Sequence, residues 1–255
     1  MDFSFVCLYL PCKGSISSGS GFFIFGWLGC SMSSKTVYFV RHGETLFNRD
    51  KRLQGWIDSP LSERGQQQAM DVAKALRSLN PGIRAAYVSP LGRARQTAEI
   101  YRRELGISLE TTESLKEVSF GDFEGNTLPE LDEKFPGQWR ARQADKWNYR
   151  PPGGEANRDA VPRAKEVVRR IESHPDGEPL LIIAHFAINR LVLSLLAGIT
   201  PDETIKMDVP HESIYQARHE NGRWRIRYLL LKEKEKGFQE GWLIQYVPEN
   251  LPMGA

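Results

Sequence analysis

The sequence lacks the residues on which several common chemistries depend. Its three cysteines, Cys7, Cys12 and Cys30, all stand near the N-terminus, so the rest of the chain has no thiol nucleophile and no disulfide. The five histidines show neither H-x-H nor H-E-x-x-H spacing, and no G-x-x-x-x-G-K-[ST] loop is present. We therefore expect no metal, no cofactor and no ATP. The odd cysteine count outside the core predicts a reduced, cytoplasmic setting.

The sequence also lacks a strong net charge and a long apolar run. Lys and Arg total 34 against 32 acids, so we expect neither nucleic acid nor a membrane surface as a partner. The apolar runs MDFSFVCLYL and GFFIFGWLG fall short of the roughly 20 residues that a membrane-spanning helix needs. Asp2 stands where a secretory signal carries positive charge, although LGC at 28–30 weakly resembles a lipoprotein cleavage site. We interpret 1–31 as an N-terminal extension outside the fold and 32–255 as one domain.

Strand-like and helix-like stretches alternate along that domain. TVYFV, AAYVS and LLIIA are short, apolar and rich in β-branched or aromatic residues, which predicts strands. Helical periodicity follows each of them, and ENG at 220–222 predicts a hairpin. The expected helices run from Ser62 to about Asn80, over 94–105, over 155–173 and up to Gly198. This order predicts an α/β three-layer sandwich with a mostly parallel sheet and helices on both faces. The segment 117–152 has no clear pattern.

Polar side chains follow three of the predicted strands. Arg41 and His42 come directly after TVYFV, Ser89 and Arg93 come after AAYV, and His185 follows LLIIA. In open α/β sheets the binding crevice lies beyond the carboxyl ends of the strands. We therefore expect these residues to meet at one edge of the sheet.

These residue types suit a phosphomonoester. Taken singly, a histidine at a strand end is more often structural and an arginine is usually solvated, so the joint pattern carries the hypothesis. Arg41 and Arg93 offer planar donor forks that match phosphate oxygens. A neutral imidazole at His42 can attack phosphorus and form a phosphohistidine. Two neighbouring guanidinium groups disfavour a protonated His42, which keeps its lone pair available.

The leaving alkoxide also needs a proton donor. Glu117 lies among apolar neighbours in LKEVSFGDFEG, where a carboxylic acid can hold its proton near neutral pH. Glu44 and Glu124 are alternative donors. The residues alone do not decide among the three.

A set of motifs in fixed order resembles a known family. RHGETLFN, LQGWIDSPLSERG, SPLGRARQTA, LKEVSFGDFEG, PPGGE and LLIIAHF together resemble the histidine phosphatase superfamily, the phosphoglycerate-mutase-like proteins, over about residues 36–218. The resemblance implies that 32–255 is a histidine-phosphatase catalytic domain that needs no metal. By position it implies a nucleophile at His42, a proton donor at Glu117, a phosphate pocket that also holds Arg41, Arg93 and His185, and a substrate mouth formed by Asn48, Gln54 and Gly55.

The resemblance leaves the reaction and the substrate partly open. The short segment between Glu117 and His185, with FGDFEG, PPGGE and the Gln of LQGW, is similar to the phosphatase branch. We therefore predict a phosphomonoester hydrolase acting on small phosphorylated metabolites, with a phosphoglycerate-type mutase as the alternative. The oligomeric state, monomer or dimer, stays open.

One position departs from the family pattern. Phe186 follows His185 where the family usually has glycine, so its side chain either lines the mouth or crowds the site. If the backbone there needs a positive φ, the phenylalanine is strained. This motivates a third hypothesis, a catalytically weak protein that binds phospho-ligands. We also expect the HES stretch at 211–213 in the pocket's outer wall and Arg140, Arg142 and Arg150 near the pocket.

Overall fold

The computed structural model describes residues 34–244, and the predicted extension at 1–31 lies outside them, so its interpretation remains a prediction. Within the described residues, no helix is both long and apolar enough to cross a bilayer. The strands and α-helices are, in chain order, β1 Lys35–Arg41, α1 Leu46–Arg49, α2 Glu63–Leu79, β2 Ala85–Val88, α3 Gly92–Leu105, β3 Ser108–Thr111, α4 Leu128–Lys134, α5 Gln138–Ala144, α6 Val161–Ser173, β4 Leu180–Ala184, α7 Phe186–Ala197, α8 Pro201–Thr204, β5 Ser213–Glu220, β6 Arg223–Leu230 and β7 Gln239–Glu240.

The strands form one seven-stranded sheet in the order β3-β2-β4-β1-β5-β6-β7. The first four are mutually parallel, while β5, β6 and β7 add antiparallel neighbours beyond β1. The predicted α/β class is therefore confirmed, and the parallel part of the sheet is its core. The predicted hairpin joins β5 to β6 through Asn221 and Gly222, which both have positive φ as a tight two-residue hairpin turn requires.

Apolar side chains from successive positions of the central strands feed two separate cores. Val37 and Phe39 of β1 pack on one face of the sheet, with α6 and α7. Tyr38 and Val40 pack on the other face, with α2 and α3. Because side chains alternate along a strand, a continuous apolar run such as LLIIA buries both of its faces at once. This is the predicted three-layer arrangement.

Several elements differ from the sequence expectation. The α-helix predicted over 155–173 begins only at Val161, because Asn157–Ala160 forms a tighter 3₁₀ turn and Pro162 fits the first turn that follows. The short edge strand β3 and the terminal β7 were not anticipated. In the stretch 117–152, helices α4 and α5 carry too few apolar residues to show a clear period.

A glycine follows His42 because two backbones touch there. A Cβ built on Gly43 would lie 2.1 Å from the carbonyl oxygen of Gly65, and one built on Gly65 would lie 1.9 Å from that of Glu44. Both contacts are with backbone atoms, so a side chain could not simply turn away. The paired glycines let the loop after β1 lie directly on the first turn of α2. This contact sets the position of His42 relative to the helix.

Candidate active site

Three neighbouring parallel strands bring the predicted residues to one edge of the sheet. The His42 amide donates to Ala184 O at 3.0 Å, and the Ser89 amide donates to Ile183 O at 3.0 Å. These bonds extend the pairing of β1 and β2 with β4 by one residue. The chain therefore delivers His42, Ser89 and His185 to adjacent positions, and the ring centroids of the two histidines are 5.1 Å apart.

The hydrogen bonds of His42 define which ring nitrogen can react. Its Nδ1 lies 2.8 Å from Gly43 O, and because a carbonyl only accepts, Nδ1 carries the proton. Its Nε2 accepts from Arg93 Nε at 3.3 Å. Nε2 therefore has the lone pair of a neutral imidazole, and it faces the cationic groups. This is the atom that can attack an electrophile.

His185 is fully buried and hydrogen-bonds through one nitrogen only. Its Nε2 lies 2.6 Å from Ser89 Oγ, which itself accepts from the Leu91 amide at 3.4 Å. That arrangement favours a serine hydroxyl that donates to Nε2, with the imidazole proton on Nδ1. Nδ1 has no partner among the described residues. His185 thus offers a free N–H donor beside His42.

Both imidazoles are held neutral. Burial, followed by the charge of Arg93, holds the pKa of His42 well below its usual 6.5. The same two causes hold the pKa of His185 well below that value. The sequence pattern suggests that neighbouring arginines lower these two pKa values. In the structure, removal of the rings from water is the larger cause.

His211 is a third, partly buried imidazole at this site. Its Nδ1 donates to His42 O at 2.5 Å, and its ring meets that of His42 edge-on at 5.4 Å. Burial lowers the pKa of His211 to about 3. The expected outer-wall position of the HES stretch is therefore wrong for this residue. Because β5 runs antiparallel to β1, the residues before β5 return to the carboxyl end of β1, and His211 supports His42 there.

These three histidines predict a marked loss of stability in mild acid. As pH falls from 7 to 5.5, the unfolded chain binds protons on all three rings while the folded chain does not. The free energy of unfolding should therefore fall by up to about 4 kcal/mol per pH unit. Above the pKa that these histidines have in the unfolded chain, their contribution to this free energy should no longer change with pH. Urea denaturation at several pH values measures this slope. His211→Asn should reduce it by about a third, and a stability independent of pH across this interval would contradict the prediction.

Arg93 shapes the site from the first turn of α3. Its side chain is 1% exposed, and Nη2 donates to Gly55 O at 2.7 Å while Nη1 donates to Ile57 O at 3.1 Å. Its backbone amide and guanidinium also approach Asp58, at 3.2 and 3.5 Å. Arg93 therefore fixes the Gln54–Ile57 loop against His42 while presenting its charge to the same place.

Arg41 does not use all of its hydrogen-bond donors within the described residues. Its Nη1 reaches Val209 O at 3.3 Å, and its Nε has no partner among the described residues. Burial lowers the pKa of Arg41 to about 10, which still leaves it charged at neutral pH. A partly buried guanidinium with an unused N–H next to a neutral imidazole is suited to bind an anion.

The three residues predicted to form the substrate mouth lie together. Asn48, Gln54 and Gly55 line one cavity of about 420 Å³ together with Arg41, His42 and Arg93. Gln54 accepts from Thr45 Oγ1 at 2.9 Å, and its Nε2 is unpaired among the described residues. Gly55 has φ +56°, and a Cβ there would lie 2.1 Å from Glu124. Asn48 accepts from the Thr45 amide at 3.2 Å, so part of its role is to close the turn.

Glu117 lies at the N-terminus of α7. Its carboxylate accepts from the Ala187 amide at 3.0 and 3.1 Å, from Ile188 at 3.1 Å and from its neighbour Val118 at 2.9 Å. The sequence suggested an apolar setting for this carboxyl group. That expectation is wrong for the carboxyl oxygens themselves, because backbone amides surround them. It still lines the cavity that contains His42.

The two alternative proton donors lie elsewhere. Glu44 accepts from Ser62 Oγ at 2.8 Å and lines a different surface depression. Glu124 accepts from the amides of Trp56, Ile57 and Phe120 and thereby ties two loops together. Neither lines the cavity. Of the three candidates, only Glu117 lines it.

Phe186 is not strained. It is the first residue of α7, and it is not among the three non-glycine residues in the described chain that have positive φ. Its ring lies against two guanidinium groups, 5.2 Å from the Arg41 carbon and 5.1 Å from that of Arg190. The side chain lines the cavity, so the first of the two expected placements is the one observed.

Three cations at the cavity were not identified from the sequence, and one of them, Arg52, pairs with Glu130 at 2.7 Å. Arg190 interrupts the otherwise apolar helix INRLVLSLLA, and a lone arginine in such a helix is a usable signal, because buried arginines need partners. Lys146 lies in the segment without a pattern and gave no signal. Of the three arginines expected near the pocket, Arg142 lines it, whereas Arg140 is exposed and Arg150 pairs with Asp159 at 2.8 Å. Among the described residues no cluster of potential metal ligands is present.

Comparison with known proteins agrees with this geometry. Residues 37–231 match the model of the histidine phosphatase superfamily, branch 1. A protein named "Probable phosphoglycerate mutase GpmB" from Erwinia tasmaniensis is 33% identical over 189 residues, which are 74% of this chain and 86% of that protein. The chain belongs to the histidine phosphatase superfamily.

Solved structures extend the comparison. A Bacillus stearothermophilus protein, YhfR, is 33% identical with a TM-score of 0.66, covering 74% of this chain and 94% of its own. A mycobacterial glucosyl-3-phosphoglycerate phosphatase is 27% identical with a TM-score of 0.66, covering 75% and 96%. The alpha-ribazole phosphatase from Shigella flexneri, at 22% identity and a TM-score of 0.69 over 76% and 96%, shares the fold. These relationships support the predicted class, a phosphoric monoester hydrolase.

Proposed function

We propose that this protein hydrolyses small phosphomonoesters through a phosphohistidine formed at Nε2 of His42, without a metal ion. One observation carries the proposal. The Nε2 lone pair of a buried neutral imidazole accepts from Arg93 Nε in a cup of donors, and three nearby N–H groups have no partner among the described residues: Arg41 Nε and Gln54 Nε2, whose side chains line the cavity, and Nδ1 of the adjacent His185 ring. Such a cup matches the several oxygens of one phosphoryl group.

In the first step the lone pair of His42 Nε2 forms a bond to phosphorus as the bond to the ester oxygen breaks. Arg41 and Arg93 balance the charge on the phosphoryl oxygens, and Nδ1–H of His42 remains bonded to Gly43 O. Glu117 gives a proton to the departing oxygen. The products of this step are a phosphorylated His42, a free alcohol and a Glu117 carboxylate.

In the second step water attacks the phosphohistidine. The Glu117 carboxylate takes the proton from that water, and the nitrogen–phosphorus bond breaks to release inorganic phosphate. His42 returns to its neutral form, which its buried setting favours. Helix α7 supports this cycle, because its first amides hold Glu117 beside the cavity.

A panel of phosphorylated metabolites tests the proposal against its alternatives. With a chelator present, we expect the protein to release phosphate from several panel members and from an aryl phosphate. NMR of 2- and 3-phosphoglycerate, with and without a bisphosphate primer, separates hydrolysis from mutase activity. Primer-dependent exchange of the two isomers without phosphate release would favour a mutase. Tight phosphate binding without turnover of any substrate would favour a binding protein.

A further inference from the structure

The cavity contains four cations that the two chemical steps do not use, and one of them, Arg52, is paired with Glu130. The other three lie on or next to two helices. Arg142 lies on α5, Lys146 lies two residues past the end of that helix, and Arg190 lies on α7. We call these three the second cationic cluster. They line the same cavity of about 420 Å³ as His42, which is larger than one phosphoryl group needs. The cavity therefore has room for the rest of a substrate next to this cluster.

Arg142 is buried without an acceptor. Its guanidinium carbon lies 4.6 Å from the ring centroid of Phe120 and 5.3 Å from that of Trp139. No hydrogen bond or ion pair joins it to another residue in the part of the chain that the structure describes. Stacking on aromatic faces holds a guanidinium plane in place and leaves its edge N–H groups free to bind.

Arg190 is held by two hydrogen bonds and leaves one buried N–H group unpaired. Its Nη2 donates to Asn157 Oδ1 at 2.9 Å and its Nη1 reaches Ile205 O at 3.3 Å. Its Nε has no partner among the described residues, although the side chain is only 3% exposed. A buried cation with a free donor at a cavity wall costs stability unless a ligand completes it.

The charges around the cluster confirm that it is undercompensated. Burial lowers the pKa of Arg142 to about 10, and the charge of Arg190 acts in the same direction. Burial and then these two arginines lower the pKa of Lys146. The cavity wall carries six cationic side chains against two carboxylates, Glu117 and Asp208, and backbone amides already engage Glu117. Two of the six cations pair with carboxylates outside the wall, Arg52 with Glu130 and Arg93 with Asp58.

The cluster lies close to the reacting group. The Phe186 ring centroid is 5.2 Å from the Arg41 guanidinium carbon and 5.1 Å from that of Arg190. Those two carbons are therefore at most about twice that distance apart. We infer that the physiological substrate carries a second anionic group, a carboxylate or a second phosphate, a few carbon atoms from the phosphate that is transferred. This inference rests on the proposed function and narrows its substrate class.

A matched pair of esters tests the inference. 3-Phosphoglycerate and glycerol 3-phosphate differ only in a carboxylate against a hydroxymethyl group, and propane-1,3-diol bisphosphate supplies a second phosphate. We expect kcat/KM to be about 30-fold higher for at least one of the two esters with a second anionic group, 3-phosphoglycerate or the bisphosphate, than for glycerol 3-phosphate. The ester with the higher kcat/KM shows whether the second anionic group is a carboxylate or a phosphate.

Substitutions locate the preference. Arg142→Met and Lys146→Met each remove a charge and keep most of the side-chain bulk. Each should lower kcat/KM for the preferred ester about 20-fold and change that for glycerol 3-phosphate less than threefold. Arg140→Met removes the same charge from the exposed side of α5 and is the matched control, with no change for either ester. Equal losses for both esters in the cluster variants would indicate a structural role and overturn the inference.

A binding measurement keeps the inference testable if turnover is absent. Calorimetry with His42→Ala compares the affinities of the same three esters without hydrolysis. A preference of about tenfold or more for a doubly anionic ester, lost in the His42→Ala/Lys146→Met double variant, is the expected result. No preference would overturn the second anion site whatever the activity. A preference in a wild-type protein that hydrolyses nothing would instead overturn the proposed function alone.

Discussion

Replacing His42 by alanine should lower kcat/KM for every phosphomonoester by about 10⁴-fold, because the variant lacks the nucleophile that takes the phosphoryl group. The flanking arginines still bind phosphate, so KM should change far less than kcat. The buried ring accepts from Arg93 Nε at 3.3 Å and is edge-on to His211, so its loss will also leave a small cavity. Steady-state kinetics with an aryl phosphate and an alkyl phosphate measures the effect.

His219→Ala is the matched control for this substitution. His219 meets the Trp224 ring at a tilted angle in the β5–β6 hairpin and does not line the cavity, so its removal should leave kcat/KM within about twofold. Thermal unfolding of both variants separates a loss of fold from a loss of chemistry. Turnover by a folded His42→Ala protein within tenfold of the parent would be incompatible with a phosphohistidine at this residue.

Glu117→Gln should produce a loss that depends on the leaving group. An alkoxide is a strong base that needs a proton, so kcat/KM for an alkyl phosphate should fall about 10³-fold. A nitrophenolate is stable without a proton, so the same variant should lose less than about tenfold with a nitrophenyl phosphate. The glutamine oxygen can still accept from the Ala187 and Ile188 amides, which keeps the start of α7 in place.

Glu124→Gln is a useful comparison for Glu117→Gln. Glu124 accepts four hydrogen bonds from Trp56, Ile57, Ser119 and Phe120, and it is outside the cavity. Its substitution should lower stability and affect both esters alike. If Glu117→Gln also affected both esters equally, Glu117 would act by positioning α7 and another group would supply the proton.

Much of the site could be predicted because its residues follow strands. Arg41, His42 and His185 each come directly after an apolar run whose strand pairing is parallel, and parallel strands end at one edge of a sheet. The motif order then added Glu117, Asn48, Gln54 and Gly55, which all line the cavity. Local chain order and the family pattern therefore carried most of the assignment.

The parts that the sequence did not reveal depend on contacts between distant residues. His211 meets His42 only because β5 pairs antiparallel with β1, and that pairing has no local signal. Glu117 finds amide donors because α7 begins beside it, which no property of LKEVSFGDFEG indicates. Arg142 and Lys146 reach the cavity from a segment without periodicity, where a solvated side chain and a pocket cation look the same in sequence.

Phe186 illustrates how a departure from a family pattern can be misread. A phenylalanine in place of glycine suggested strain or crowding, yet the position has ordinary helical backbone and the ring contacts two guanidinium groups. Those contacts place Phe186 between the reacting group and the second cationic cluster. The substitution is therefore compatible with an active enzyme and with a substrate that has two charged ends.

Rapid quenching of the protein with a radiolabelled phosphomonoester, followed by peptide mapping, tests the central account most directly. We expect label on the peptide that contains His42, stable in alkali, lost in acid and absent from the His42→Ala protein. Label on another residue, or efficient hydrolysis with no trapped phosphoprotein even under single-turnover conditions, would contradict it.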